Sequence, residues 1–276
     1  MQSMTEEIPL GRAVPFPEQY SPELLFRMSR EQQRERLGLA GDPPFHGTDI
    51  WNAWELTWLD HYGKPMCATA EIRVPADSPC LIESKSLKLY LNSFAMTHCL
   101  SRGDVVETIQ QDLSDCAGTD VDVSLSDPAS GEDAHTASLP GDCLDSAKIK
   151  CSYERSQPDA ALLQADTDDI VTEQLYSDLL RSLCPVTSQP DMGSILVSYS
   201  GPRIDREALL RYIVSYRQHE DFHESCVEQM FIDILDKCAP EKLTVYARYN
   251  RRGGIDINPF RSNFEADAPN PRLWRQ

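Results

Sequence analysis

The sequence predicts an α+β protein made of two successive units, each running strand, strand, helix, helix, strand, strand. Three observations carry this: period-two alternation flanks the middle of each half, helical spacing of apolar residues fills that middle, and the same order recurs in the second half. At about 150 residues per domain, 276 residues suit two ordinary domains. The boundaries read as an extension over residues 1–48, a first module over 49–155 and a second over 156–276.

The extension is rich in proline and charge, with one short helical candidate between residues 22 and 36, and is expected to pack on the first module. In residues 53–59, Trp54, Leu56 and Trp58 alternate with Glu55 and Thr57. After the turn at Gly63, Ala68, Ala70, Ile72 and Val74 alternate with Thr69, Glu71 and Arg73, which predicts an antiparallel hairpin. Leu87, Tyr90, Leu91 and Phe94 then recur at helical spacing. So do Val105, Val106, Ile109 and Leu113, after a capping-box signal formed by Asp104 and Glu107. Alternation returns at Val121, Val123 and Leu125, and again at Ile149, Cys151 and Tyr153. In the second half, residues 171–183 suit strand or helix. Residues 195–200 read as a strand, 206–216 as a helix capped by Asp205, 221–237 as a second helix, and 243–249 with 254–260 as a closing hairpin around Arg251-Arg252-Gly253-Gly254.

Apolar residues at 41% exclude a fully disordered chain, and the start of the sequence has no apolar leader. With no apolar run near the ~18 residues a span needs, a soluble, cytoplasmic protein is expected. Twenty-six basic against 44 acidic residues give −18, which argues against broad contact with nucleic acid or anionic membrane. Residues 104–147 hold eleven acids and no Lys or Arg, a pattern read as a solubilising face. From 241 onward seven bases face four acids, a basic island suited to a small phosphorylated ligand. The nine cysteines are odd in number and lack metal spacing, so neither a disulfide framework nor a zinc site is expected.

Four motifs can carry chemistry. In CPVTSQPD, Cys184 could act as a thiolate with Asp191 exchanging its proton; a buried cysteine and a turn-forming aspartate fit the same spacing. In HEDFHE (219–224), read as opening a helix, His219 and His223 stand at i, i+4. There Glu224 could accept paired N–H groups from a guanine-like edge and His223 could bond a ring carbonyl; acidic capping of a helix start is the alternative. In ESKSLKLYLNSF (83–94), helix N–H groups and Lys85 suit a phosphate or carboxamide, while Ser84 and Ser86 could merely cap. RRGG is either a phosphate clamp or an ordinary hairpin turn. ESKS stands only in the first half, CPVTSQPD and HEDFHE only in the second, which suggests one site assembled from both repeats.

Taken together, in this order and behind DIWNAWELTWL, these motifs and YNRRGGIDINPFRSNF closely resemble the NADPH-dependent 7-cyano-7-deazaguanine reductases, in their long, two-module form. The resemblance spans about residues 8–265. It implies tandem tunnelling-fold (T-fold) modules, each with an antiparallel sheet and two helices on one face, and a nitrile reductase of queuosine biosynthesis that uses two NADPH to make the primary amine. By position, Cys184 would form a covalent thioimide and Asp191 would donate protons. Ile82, Glu83, Ser84, His223 and Glu224 would bind substrate, and Ser84, Lys85, Arg252 and Gly253 would hold NADPH. Met192 departs from the aromatic often found after that aspartate. No metal and no direct nucleic-acid partner are implied, and a homodimer is expected. The alternatives are a metal-dependent T-fold pterin or purine hydrolase or cyclohydrolase, and a non-catalytic purine-binding protein.

Overall fold

The computed structural model describes residues 17, 19–39, 41–128, 136–153 and 157–276. They fall into two units. The first takes the described residues of Met1–Ala40, Asp49–His135 and Arg251–Asp256; the second takes those of Gly41–Thr48, Thr136–Asn250 and Ile257–Gln276. The RRGG turn, which chain order would put in the second module, therefore clusters with the first.

The first unit contains β1 (Arg27–Ser29), α1 (Arg30–Arg36), most of β2 (His46–Leu59), β3 (Pro65–Pro75), β4 (Cys80–Ile82), α2 (Ser84–Ser93), α3 (Arg102–Ala117) and β5 (Asp122–Ser126). Its sheet runs β5–β3–β2, with β3 and β5 antiparallel and Ile72 opposite Val123. Alternation along β3 buries Ala68, Ala70, Ile72 and Val74, as expected for a strand with one covered face. Leu87, Tyr90 and Leu91 of α2 and Val105, Ile109 and Leu113 of α3 are buried at helical spacing.

The extension departs from the expected single helix. Residues 22–24 make one 3-10 turn, and the chain then stays extended through β1, which pairs antiparallel with β4. Only the last part of the candidate is helical, as α1, because the Phe26 N–H bonds Ser86 Oγ and the Phe26 carbonyl accepts from the Glu83 N–H. The extension is tied to the rest of this unit. The Tyr20 and Tyr90 hydroxyls share one Asp112 oxygen, and buried Arg30 pairs with buried Asp49 at 2.6 Å. The α3 capping box also sits one turn earlier than expected. Ser101 is the cap and Asp104 its reciprocal partner, since Ser101, not Asp104, has the extended backbone of a cap.

The second unit contains β6 (Asp142–Cys143), β7 (Ala165–Leu183), β8 (Pro190–Ile204), α4 (Arg206–Ser215), α5 (His223–Cys238), β9 (Lys242–Tyr249) and most of β10 (Ile255–Ser262), in sheet order β10–β9–β8–β7–β6. The expected order of two strands, two helices and two strands is present here, and Asp205 caps α4 through the Ala208 N–H. Helix α5 buries Cys226, Val227, Met230, Phe231 and Ile234 and packs on β9 and β8. Residues 171–183 settle as strand. The expected strand over 149–153 does not form: Lys150, Cys151, Ser152 and Tyr153 are exposed and have no ladder partner. Residues 154–156, beside it, lie outside the described residues, as do 1–16 at the start of the extension. Among the described residues no helix is long and apolar enough to cross a membrane.

Candidate active site

The cysteine loop is built by one hairpin. β7 and β8 pair antiparallel, with Ser182 opposite Asp191 and Leu183 opposite Pro190. The loop beyond is closed by Cys184 N–H to the Gln189 carbonyl (2.9 Å) and Ser188 N–H to the Cys184 carbonyl (2.9 Å). Cys184 follows the end of β7 directly, two residues after Ser182, which stands opposite Asp191 in this register. Cys184 and Asp191 are both buried.

A second segment is laid beside this hairpin. The Leu183 N–H bonds the His219 carbonyl and the Asp221 N–H bonds the Leu183 carbonyl, while Ser188 Oγ donates to Glu220. This brings the start of α5 next to the cysteine loop. The helix begins at His223, not earlier: His219 lies outside it, after a 3-10 turn over Tyr216–Gln218, so the two histidines do not share a helical face. His219 Nε2 is 3.8 Å from Asp221. His223 Nε2 is 3.3 Å from Asp191 Oδ2, and its ring lies flat on Tyr249, centroids 3.8 Å apart and 8° from parallel. Glu224 is buried in the first turn of α5, where helix N–H groups favour a carboxylate. The structure thus gathers Cys184, Asp191, His223 and Glu224 in one unit. Among the described residues, no three His, Cys, Asp or Glu side chains cluster as a metal-ligand set.

The first unit holds the other predicted residues. Ile82 ends β4, and Glu83 is the N-cap of α2, accepting from the Lys85 N–H (2.7 Å) and the Ser86 N–H (2.8 Å). The helix start considered for a phosphate is therefore already capped by the chain's own carboxylate. Burial pushes the Glu83 carboxyl up, against the downward pull of those two backbone donors and of Lys88. RRGG is a tight hairpin turn: Arg252 and Ile255 exchange backbone hydrogen bonds around Gly253 (φ +60°) and Gly254 (φ +81°), a left-handed pair that glycine adopts without steric cost. The Arg251 guanidinium lies 4.5 Å over the Trp54 ring. Gly253, Gly254, Lys88, Asn92, Glu55 and Thr57 border a hollow of about 190 Å³. A side chain at Gly253 would press on Lys88, with Cβ 3.3 Å from Cδ, so the bare turn and the lysine stem share one surface. On this border Lys88 is the cation and Glu55 the acid, and the lysine beside bare glycine backbone could hold one anionic group of a cofactor.

Comparison with known proteins is decisive. A family model described as nitrile reductase, 7-cyano-7-deazaguanine-reductase N-term matches residues 16–125, and one described as QueF-like protein matches residues 190–268. The NADPH-dependent 7-cyano-7-deazaguanine reductase of Desulfotalea psychrophila is 47% identical over 275 residues, covering 100% of this chain and 99% of its own. Proteins of the same name from Paraburkholderia phymatum (50% over 273 residues; 98% and 99% covered) and Chromobacterium violaceum (48% over 274; 98% and 97%) agree. The chain belongs to the NADPH-dependent 7-cyano-7-deazaguanine reductase family. A solved structure, the archaeosine synthase QueF-Like in the apo form, aligns with 36% of this chain and 96% of its own at TM-score 0.31 and 18% identity.

Within this reductase-family chain, Ile82, Glu83, Ser84 and Lys85 fall in the first matched segment, and Asp191, His223, Glu224, Arg252 and Gly253 in the second; Cys184 lies between them. Sequence reasoning passed over two neighbours of these residues. Lys88 stands four residues after Ser84, one helical turn on, and Tyr249 directly precedes NRRGG; both signals were present in the quoted motifs.

Proposed function

We propose that this chain reduces the nitrile of 7-cyano-7-deazaguanine to the primary amine 7-aminomethyl-7-deazaguanine, with two NADPH and a covalent thioimide on Cys184, as a step of queuosine biosynthesis. The observation that supports this reading most is the contact of His223 with Asp191, whose ladder partner Ser182 stands two residues before Cys184.

Cys184 as thiolate adds to the nitrile carbon; one C–N π bond breaks, and the nitrogen takes a proton from Asp191. Once hydride has added at that carbon, expulsion of the Cys184 thiolate leaves an imine, which a second hydride and proton convert to the amine. NADPH supplies both hydrides when bound. Asp191 must be neutral to give its proton, and the imidazole of His223 stands within reach to return the proton between steps. Glu224 is assigned to the two adjacent N–H donors of the deazaguanine edge and His223 to its carbonyl, which would retain the ring after the covalent bond is gone. Ile82, Glu83 and Ser84 are assigned to substrate on the family's pattern alone. Ser84, Lys85, Arg252 and Gly253 are assigned to NADPH, with Lys88 on the same hollow as Gly253.

The same reading takes the modules as tandem T-folds and the protein as a cytoplasmic homodimer that acts on the free base rather than on nucleic acid. Incubation with the nitrile and NADPH is expected to consume two NADPH per amine formed. Cofactor oxidation without amine, or none at all, would remove the assignment.

A further inference from the structure

We propose that Tyr249 is the positioning residue for the Asp191–His223 pair, acting by the flat stack of its ring on the imidazole. The inference deepens the functional reading above and rests on it for its kinetic consequence.

Among the described residues, the polar and ring contacts that orient His223 are two: Nε2 to Asp191 at 3.3 Å, and the Tyr249 stack at 3.8 Å and 8°. Its other nitrogen, Nδ1, is buried and has no hydrogen-bond partner, so no hydrogen bond there fixes the ring plane. A carboxylate contact at one corner leaves an imidazole free to swing about that corner, and a parallel aromatic face removes the swing.

The structure holds Tyr249 in turn. Its N–H donates to Asn258 Oδ1 (3.2 Å) and its carbonyl accepts from Gln276 Nε2 (3.2 Å), while Gln276 Nε2 also donates to Asn258 Oδ1 at 2.7 Å. Gln276 Oε1 accepts from the fully buried Arg248 guanidinium at 3.1 and 2.8 Å, which anchors the amide that anchors Tyr249. On the strand opposite, Gly193 pairs with Tyr249. A Cβ there would meet Tyr249 Cδ1 at 3.3 Å and Leu180 Cδ2 at 3.0 Å. The missing side chain at Gly193 gives the ring the space in which it lies flat. The phenol hydroxyl neighbours Ser182 and Cys226, and the Asp191 carboxylate also acts on it.

The test compares wild type with Tyr249→Leu, Tyr249→Phe and Gly193→Ala, reading the rate of covalent adduct formation at saturating nitrile, the half-saturating nitrile concentration, and the His223 ring-proton resonance by NMR. Tyr249→Leu is expected to slow adduct formation about 10- to 100-fold, with half-saturation changed less than about threefold and the ring-current displacement of the His223 resonance lost. Tyr249→Phe, which keeps the ring, should stay within about threefold of wild type and retain that displacement. Gly193→Ala should slow the reaction several-fold with Tyr249 intact, and it carries the test if Tyr249→Leu does not fold. A Leu variant with wild-type rate and unmoved resonance, a Phe variant as slow as Leu, or a folded Gly193→Ala with unchanged rate and resonance would each overturn the proposal. Wild-type protein that forms no adduct would sink the functional reading instead, while the resonance still decides whether Tyr249 fixes His223.

Discussion

Cys184 and Asp191 are seven residues apart, a spacing that a sequence leaves open to a turn and a buried thiol. What relates them is the register of two long strands, a tertiary fact that no local pattern prints. Glu224 at a helix start was legible from HEDFHE, yet the spacing of His219 and His223 suggested a shared helical face that the 3-10 turn and the pairing with Leu183 prevent. Glu83, assigned to substrate by the family resemblance alone, is in the structure the cap of α2, because a carboxylate one residue before a helix meets its first free N–H groups. Its carboxyl is raised by burial, so the native state binds its proton more tightly than the unfolded chain does. The Glu83 contribution to stability is therefore fully present at pH below the ordinary Glu value of about 4.3 and falls as pH rises through the elevated native value. Denaturation of Glu83→Gln across pH 4 to 7 is expected to show a flatter decline than wild type; an unchanged slope would contradict this.

The elements were most legible where one periodicity ran unbroken. β3, α2, α3 and α4 follow their apolar spacing, and Asp205 caps α4 as read. Residues 171–183 of β7 were ambiguous because a register shift between Ser177 and Leu180 interrupts their alternation. Residues 149–153 show the reverse failure: five alternating residues satisfy the pattern, but a strand also needs a ladder partner, and none is there among the described residues. The turn at RRGG was foreseen as a hairpin, and its two left-handed glycines are its physical basis. At Gly254 an added Cβ meets nothing within 4 Å, so Gly254→Ala isolates the conformational cost. That variant is expected to lose about 1–2 kcal/mol of unfolding free energy, read by urea denaturation. A loss near zero would mean the turn relaxes to another conformation.

At the scale of the whole molecule, the expected order is complete in the second unit alone, since among the described residues the first lacks its last strand, and the division of the chain was not legible. Arg251–Asp256 clusters with the first unit although it lies between two strands assigned largely to the second, a placement that depends on tertiary contacts such as Trp54 N–H to the Gly254 carbonyl and Asn52 to Asp256. All nine cysteines are free thiols, and Cys67, Cys143 and Cys151 are exposed, so alkylating probes will mark these first. Burial pushes the Cys226 thiol up and the Cys238 thiol to about 11, which keeps both protonated and unreactive at neutral pH. The proposed homodimer predicts a particle of about twice the 31.1 kDa chain by light scattering. A monomer mass at assay concentration would count against it.

The most direct test of the central claim mixes the protein with 7-cyano-7-deazaguanine in the absence of NADPH and weighs the intact chain. The account predicts a mass gain of one whole nitrile molecule, with nothing lost, mapped to Cys184 and absent from Cys184→Ala. An unmodified wild-type chain under saturating nitrile, or an equal gain on the alanine variant, would contradict it.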